Sequence, residues 1–352
     1  MPTKIPVTVL GATGVVGQRF VARLAQHPWF ELVHLAASER SVGKRYSEAC
    51  TWRVPGGQPF AGCGERELRA CDESVATRVV FSALDAPVAR ELEPRFARAG
   101  ALVFSNASAF RMEADVPLLV PEVNADSLQL LEVQRERRGW SGAIVCNPNC
   151  TAAVLVTALQ PLHERFGVED VLMTSMQAVS GAGYPGVASL DALGNVVPFI
   201  RDEEHKVELE LAKMLGRMRG RAVEPAALRV SALCHRVPVL DGHSESVALR
   251  LSGAPSCAAV SEALATWRAE PQLRGLPSAP PHPVVVHTAE DRPQPRLDVE
   301  RDAGMSVHVG RIRPCAILGL KMFVLGHNLE RGAAGGSVLN AELLLARGML
   351  AS

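Results

Sequence analysis

One cysteine in this sequence stands where a thiol can act as a nucleophile. In Ile144-Val145-Cys146-Asn147-Pro148-Asn149-Cys150-Thr151 an apolar strand ends near Cys146 and Pro148 turns the chain. Asn149 is a good N-cap for the apolar helix predicted over 151–162. Cys150 then falls in the first helical turn, where unpaired N–H groups and the helix dipole favour a thiolate. Cys146, inside the strand, reads as an inert core thiol. The remaining cysteines are scattered and form no Cys-x-x-Cys pair, so neither a disulfide framework nor a zinc site is indicated, and no metal is expected. A nucleophilic thiol needs an acid/base partner. His243, in Arg236-Val237-Pro238-Val239-Leu240-Asp241-Gly242-His243, is presented by a glycine turn at the start of a strand. His235 and His327 are open alternatives, because spacing alone does not choose among the three.

A second chemical feature opens the chain. The strand predicted over 5–10 runs into Gly11-Ala12-Thr13-Gly14-Val15-Val16-Gly17, and apolar residues at helical spacing follow over 18–26. Glycines between a strand and a helix permit a tight turn and bring backbone N–H groups against a pyrophosphate at the helix N-terminus. A second strand, predicted over 31–37, should end in an acidic residue for NAD, whose ribose 2′-hydroxyl that carboxylate binds. It ends instead in Ser38-Glu39-Arg40-Ser41, with Lys44 just beyond. Ser38, Arg40, Ser41 and Lys44 suit a 2′-phosphate, and NADP is the expected cofactor, with Glu39 pointing away.

These features need a scaffold, and the rest of the chain supplies one. Strands predicted over 78–82 and 101–104 alternate with a helix over 87–98, which argues for a parallel sheet covered on both faces. A turn-rich stretch around Gly56-Gly57 interrupts this alternation. Beyond Cys150 the pattern changes. Strands are predicted over 168–179, 229–237, 244–251, 283–287, 306–314 and 315–325. Helices over 198–215 and 256–269 lie among them, and a final helix spans 338–349. This grouping reads as a second, α+β domain. At 352 residues the chain suits two domains, since single cores stop growing near about 250–300 residues. Basic and acidic residues number 37 each, so no nucleic-acid partner is indicated. No apolar run approaches a membrane span and no signal segment opens the chain, which makes the cytoplasm the expected location.

Four ordered motifs carry a resemblance to a known family. Asn147-Pro148-Asn149-Cys150-Thr151, Gln177-Ala178-Val179-Ser180-Gly181-Ala182-Gly183, Glu203-Glu204-His205-Lys206 and Arg236 to His243 resemble the successive motifs of aspartate-semialdehyde dehydrogenases. Ser105-Asn106-Ala107-Ser108, Pro121-Glu122-Val123-Asn124 and Gly310-Arg311-Ile312-Arg313 are similar to the archaeal and fungal branch. The match runs from Gly11 to the terminal helix.

The resemblance implies an α/β chain in two parts. A Rossmann-like NADP-binding domain would comprise 1–148 with 328–352, and an α+β catalytic and dimerisation domain 149–327, in a homodimer or homotetramer. It implies NADPH-dependent reductive dephosphorylation of L-aspartyl 4-phosphate to L-aspartate 4-semialdehyde, a step toward lysine, threonine and methionine, with inorganic phosphate as co-product. Cys150 would form the thioester, His243 would act as acid/base, and Asn149 and Gln177 would position the intermediate. Arg236 would hold the substrate α-carboxylate. Glu203 and Lys206, three apart on one helical face, would serve amino group and phosphate, with Glu204 as an alternative to Glu203. Arg111 would be a second phosphate ligand. Gly11, Thr13, Gly14, Val15, Val16, Gly17, Ser82, Ser180, Gly181 and Asn328 would line the cofactor, beside the 2′-phosphate group named above. Two rivals are a malonyl-CoA reductase of the same branch and a catalytically silent NADP-binding homologue.

Overall fold

The structure is a computed structural model that describes residues 4–56 and 58–350; Gly57 and the chain ends of the expected nucleotide domain lie outside the described residues. Six strands form the first sheet: β1 (Ile5–Leu10), β2 (Phe30–Ala37), β3 (Arg69–Ala70), β4 (Val79–Ser82), β5 (Leu102–Ser105) and β6 (Ala143–Cys146). Their order is β3-β2-β1-β4-β5-β6, and all pairs are parallel. Every residue of β4, β5 and β6 is buried, as expected of strands covered on both faces. The strand order reverses between β1 and β4, and a crevice for a ligand opens at the carboxyl ends of such strands. Gly11, immediately after β1, stands at that point.

The second sheet comprises β7 (Val168–Gln177), β10 (Arg229–Arg236), β11 (His243–Leu251), β12 (Val284–Val286), β13 (Val307–Cys315) and β14 (Gly319–Gly326), in the order β10-β7-β11-β14-β13-β12. A small hairpin, β8 (Arg217–Arg219) and β9 (Ala222–Glu224), stands apart. The β7–β10 and β12–β13 pairs are parallel and the others antiparallel, a mixed sheet of the kind the grouped strands suggested. The helix Cys150–Phe166 is buried from Thr151 through Leu162 and packs against this sheet. A short turn connects it to β6, so this helix leads from the first sheet to the second.

Three differences from the sequence reading have local causes. The first helix begins at Val15 rather than Gln18, because Gly14 in extended conformation serves as its N-cap. The helix predicted over 198–215 is confined to Glu203–Met214, and the stretch before it runs irregularly to Asp202, a left-handed N-cap residue (φ 59°). The helix Leu130–Arg138 went unread because only Leu130, Leu131 and Gln134 on it are buried, too few for a visible period.

The C-terminal segment closes the molecule. Residues of the helix Ala334–Ala346, among them Val338, Leu339 and Leu343, share a core with Val7, Phe20 and Phe81 of the first sheet and its first helix. Just before it, Arg331 is 2% exposed and donates to both carboxylate oxygens of Glu122, at 3.1 and 2.7 Å. A bidentate guanidinium–carboxylate pair tolerates such burial, whereas either charge alone does not. Glu122→Gln strands the Arg331 charge and should lower stability by about 3–5 kcal/mol. Urea unfolding of the full chain checks this; a loss under about 1 kcal/mol would show that water reaches Arg331.

Candidate active site

The site assembles where the Cys150 helix, the ends of β7 and β10, and the start of β11 converge. Asn149 caps the helix as its sequence position suggests: its Oδ1 accepts from the N–H groups of Thr151 and Ala152, both at 3.0 Å. Its Nδ2 donates to Glu203 Oε1 at 2.7 Å. Cys150 Sγ lies 3.2 Å from Nε2 of His243, the first residue of β11. The other two histidines face elsewhere. His235 Nδ1 lies 3.2 Å from Ser175 O, and His327 Nε2 lies 3.4 Å from Glu300 Oε1.

The second ring nitrogen sets the tautomer. Ala178 N–H donates to His243 Nδ1 at 3.1 Å, so in the neutral ring the proton sits on Nε2, facing the sulfur. Burial, with the positive charge of Arg236 and the ring of His327 adding to it, lowers the imidazole to about 3, which keeps it neutral. Burial also pushes the Cys150 thiol up to about 12, with Glu203 contributing, against the opposing charges of Arg111 and Arg236. The thiolate expected from the helix terminus alone is thus outweighed by loss of water around the sulfur. Cys146 is buried and its thiol is raised further by the same cause, in keeping with an inert core position.

Charged side chains surround the pair. Arg236, at the end of β10, is buried and donates through Nη1 to Ala178 O at 2.7 Å. Lys206 Nζ is 4.0 Å from Glu203 Oε2, the i,i+3 relation foreseen, whereas Glu204 turns away and accepts from Cys234 N–H at 3.0 Å. Arg111 donates through Nη1 to Glu210 Oε1 at 3.1 Å and through Nη2 to Asn106 O at 2.8 Å, and its buried Nε has no partner. Gln177 is buried, and its Nε2 donates to Ser175 Oγ at 3.2 Å.

Close packing by glycine holds this arrangement. A Cβ on Gly181 would lie 3.0 Å from both Arg236 Nη1 and His243 Cε1. One on Gly332 would lie 2.7 Å from Cys150 Cβ and 2.9 Å from its Cα, so the C-terminal segment presses bare backbone against the nucleophile. Sequence reasoning missed Gly332 and Glu210. Their signals were present: Gly332 opens the glycine cluster Gly332, Gly335 and Gly336, and Glu210 falls in phase with the apolar stripe Val207, Leu211 and Met214.

A cleft of about 960 Å³ opens at the end of the first sheet, lined by Gly11, Thr13, Gly14, Val15, Val16, Ser38, Ser180 and Gly181. The first helix begins on it with no side-chain cap and no acidic residue in its first turn, which leaves N–H groups for an anion. A Cβ on Gly11 would lie 2.6 Å from Ala83 O, and one on Gly17 would lie 2.1 Å from Gly11 O, so both glycines are needed for the turn itself. Asn328 donates to Ser180 Oγ at 2.9 Å and accepts from Gly242 N–H at 2.8 Å, which joins the cleft to the turn carrying His243. Ser82 is fully buried and off the lining. Glu39, expected to point away, is among the residues at the edge of the cleft, where it is exposed on the 3₁₀ turn Glu39–Ser41. Arg40, Ser41 and Lys44 lie outside the lining, with Arg40 and Lys44 exposed.

A dinucleotide-type cleft opening toward a paired thiol and imidazole is the layout of a nucleotide-linked dehydrogenase that works through a cysteine. Residues 6–131 match the family described as semialdehyde dehydrogenase, NAD binding domain, and residues 159–331 match semialdehyde dehydrogenase, dimerisation domain. The chain belongs to the aspartate-semialdehyde dehydrogenase family, as its motifs suggested. It is 52% identical to the aspartate-semialdehyde dehydrogenase of Archaeoglobus fulgidus, over 96% of this chain and 97% of that one. Identity to the Saccharomyces cerevisiae enzyme is 43%, over 97% and 98%. The crystal structure of the Candida albicans aspartate-semialdehyde dehydrogenase with NADP aligns with a TM-score of 0.91 at 41% identity, covering 98% of this chain and 99% of that one.

The raised thiol makes a prediction for the free enzyme. Alkylation of Cys150 by iodoacetamide should climb about tenfold per pH unit from pH 7 to 9 without levelling, because the thiolate fraction grows throughout that range. Mass-spectrometric rates for the Cys150 peptide read this directly. A plateau already reached at pH 7.5 would mean that the thiolate is preformed.

Proposed function

We propose that this chain catalyses the NADPH-dependent conversion of L-aspartyl 4-phosphate and its release as L-aspartate 4-semialdehyde and inorganic phosphate. The observation that carries the reading is the 3.2 Å Cys150–His243 contact at a capped helix terminus, in a chain whose relatives bear that enzyme's name. Cys150 sulfur attacks the acyl carbon, the carbon–oxygen bond to phosphate breaks, the thiol proton leaves with the phosphate, and a thioester forms. The Gly11–Gly17 turn, with Ser180 and Asn328 beside it, would hold NADPH, whose chemistry is hydride delivery to the thioester carbon. When the carbon–sulfur bond breaks, the sulfur leaves as a thiolate toward His243 Nε2–H, a donor already aimed at it. The neutral ring keeps this proton and stabilises the departing thiolate by hydrogen bonding, and the Ala178 N–H favours that role by occupying Nδ1.

Substrate charges find partners around this pair. Arg236 suits the α-carboxylate and Glu203 the α-ammonium. Lys206 and the unpartnered Nε of Arg111 are the cations for the departing phosphate. A malonyl-CoA reductase would have no amino group for Glu203, and a silent NADP-binding homologue would have no need of a thiol against an imidazole. The nucleotide-binding part is assigned to 1–148 with 328–352 and the catalytic and dimerisation part to 149–327. The description of the latter family supports a homo-oligomer, dimer or tetramer, and exposed Leu172 and Leu233 on neighbouring strands β7 and β10 are suited to its interface. Among the described residues no helix is long and apolar enough to cross a membrane, which supports the cytoplasmic reading.

The test runs the reaction in reverse. Purified protein should reduce NADP with L-aspartate semialdehyde only when inorganic phosphate is present, and Cys150→Ala should lower the rate about a thousandfold or more. Activity independent of phosphate, or NADPH oxidation by malonyl-CoA in its place, would overturn the assignment.

A further inference from the structure

The helix Glu203–Met214 turns three charged side chains into the protein, and together they grip Asn149 and the loop of Arg111. Glu203 accepts from Asn149 Nδ2 at 2.7 Å. Glu210, 2% exposed, accepts from Arg111 Nη1 at 3.1 Å on one oxygen and from the backbone N–H of Asn149 at 2.6 Å on the other. Lys213 donates to the carbonyl oxygens of Arg111, Glu113 and Val116 at 2.7, 2.9 and 3.0 Å. At helical spacing residues 203, 210 and 213 share one broad face. One rigid element thereby holds both the loop that carries Arg111 and the residue that precedes Cys150.

The geometry points to Glu210 as a positioning residue that sets the distance between the phosphate cation Arg111 and the nucleophile Cys150. This rests on the assignment of Arg111 to phosphate made above. Two of the three guanidinium nitrogens of Arg111 are committed, Nη1 to Glu210 and Nη2 to Asn106 O, so the ring of donors has one fixed orientation. Nε is buried and has no partner, so it is a guanidinium nitrogen still free for an anion. The other Glu210 oxygen ties the same carboxylate to Asn149, whose neighbour is Cys150. A phosphate bound at Arg111 is therefore registered to the sulfur through one side chain, and about 1 Å of misplacement in such a site is enough to cost a hundredfold in rate. Glu210 touches neither substrate nor cofactor in this scheme and acts wholly through Arg111 and Asn149. Its carboxylate also balances a guanidinium that would otherwise be buried alone.

Full-length Glu210→Gln, Arg111→Ala and the double variant test this, assayed for NADP reduction with L-aspartate semialdehyde over a range of inorganic phosphate. Protection of Cys150 from iodoacetamide by inorganic phosphate serves as a second readout that needs no turnover. The glutamine keeps the shape of Glu210 but can accept only one of the two bonds. It should raise KM for phosphate and weaken phosphate protection about tenfold, the scale of one lost charged hydrogen bond, while KM for NADP stays within about twofold. In the Arg111→Ala background the same change should alter the phosphate constant less than about twofold, because the partner it acts through is gone. Equal effects in both backgrounds, a uniform fall in all constants with a lowered melting temperature, or no effect on phosphate at all would each overturn the proposal. If Glu210→Gln does not fold, Glu210→Asp carries the same test, and failure of both to fold would assign Glu210 to the fold alone. Wild-type turnover without any need for phosphate would instead sink the reading of the enzyme, so the two failures are separable.

Discussion

The contact between Cys150 Sγ and His243 Nε2 constrains everything built around it. The two residues are 93 positions apart in sequence and belong to a helix N-terminus and a strand start. Bringing them to 3.2 Å requires the β6-to-helix turn, the pairing of β11 with β7 and β14, and the Gly242 turn all to be in register. Gly181 and Gly332 supply the clearance, one against the imidazole and one against the cysteine backbone. The C-terminal segment is part of this assembly because Gly332 and Asn328 come from it. A chain that ended before that segment would keep the nucleophile and lose the surface that encloses it.

Enclosure has an electrostatic consequence. Removing water from sulfur and imidazole favours the neutral form of both, so the resting pair is a thiol beside an imidazole with its proton on Nε2. Reactivity then depends on charges brought to the site. Arg111 and Arg236 oppose the thiol's upward shift, while Glu203 reinforces it. A substrate ammonium paired with Glu203 would remove the part of that shift owed to this carboxylate, and binding and activation would then be linked through one side chain. Three buried charged groups here have partners: Arg111 has Glu210, Glu203 has the Asn149 amide, and Arg331 has Glu122.

Much of this was legible in the linear chain because the signals are local. Asn149 one residue before Cys150 marks a capped terminus, glycines after an apolar strand mark an anion-binding turn, and motif order marked the family. Element types came from apolar period, and they failed where that period was short, as at Leu130–Arg138, while the place of Glu39 at the cleft edge depended on a turn that no period marks. The expected NADP-binding cations Arg40 and Lys44 likewise fall outside the cleft lining, a placement made by the backbone of the Glu39–Ser41 turn and the residues after it.

What the sequence by itself determined was the nucleophile's setting, the strand–glycine–helix entry to the nucleotide cleft, and the division into alternating and grouped elements, all consequences of residues near one another along the chain. The tertiary structure alone decided which of three histidines meets the sulfur and which tautomer it holds, because Ala178 N–H reaches Nδ1 only after β7 and β11 have paired. It also decided that Glu210 and Gly332 belong to the site, since their partners lie 61 positions away for the Glu210–Asn149 bond and farther for Gly332. Long-range pairing brings such residues together through the packing of whole elements, and no local period in the chain encodes that packing residue by residue.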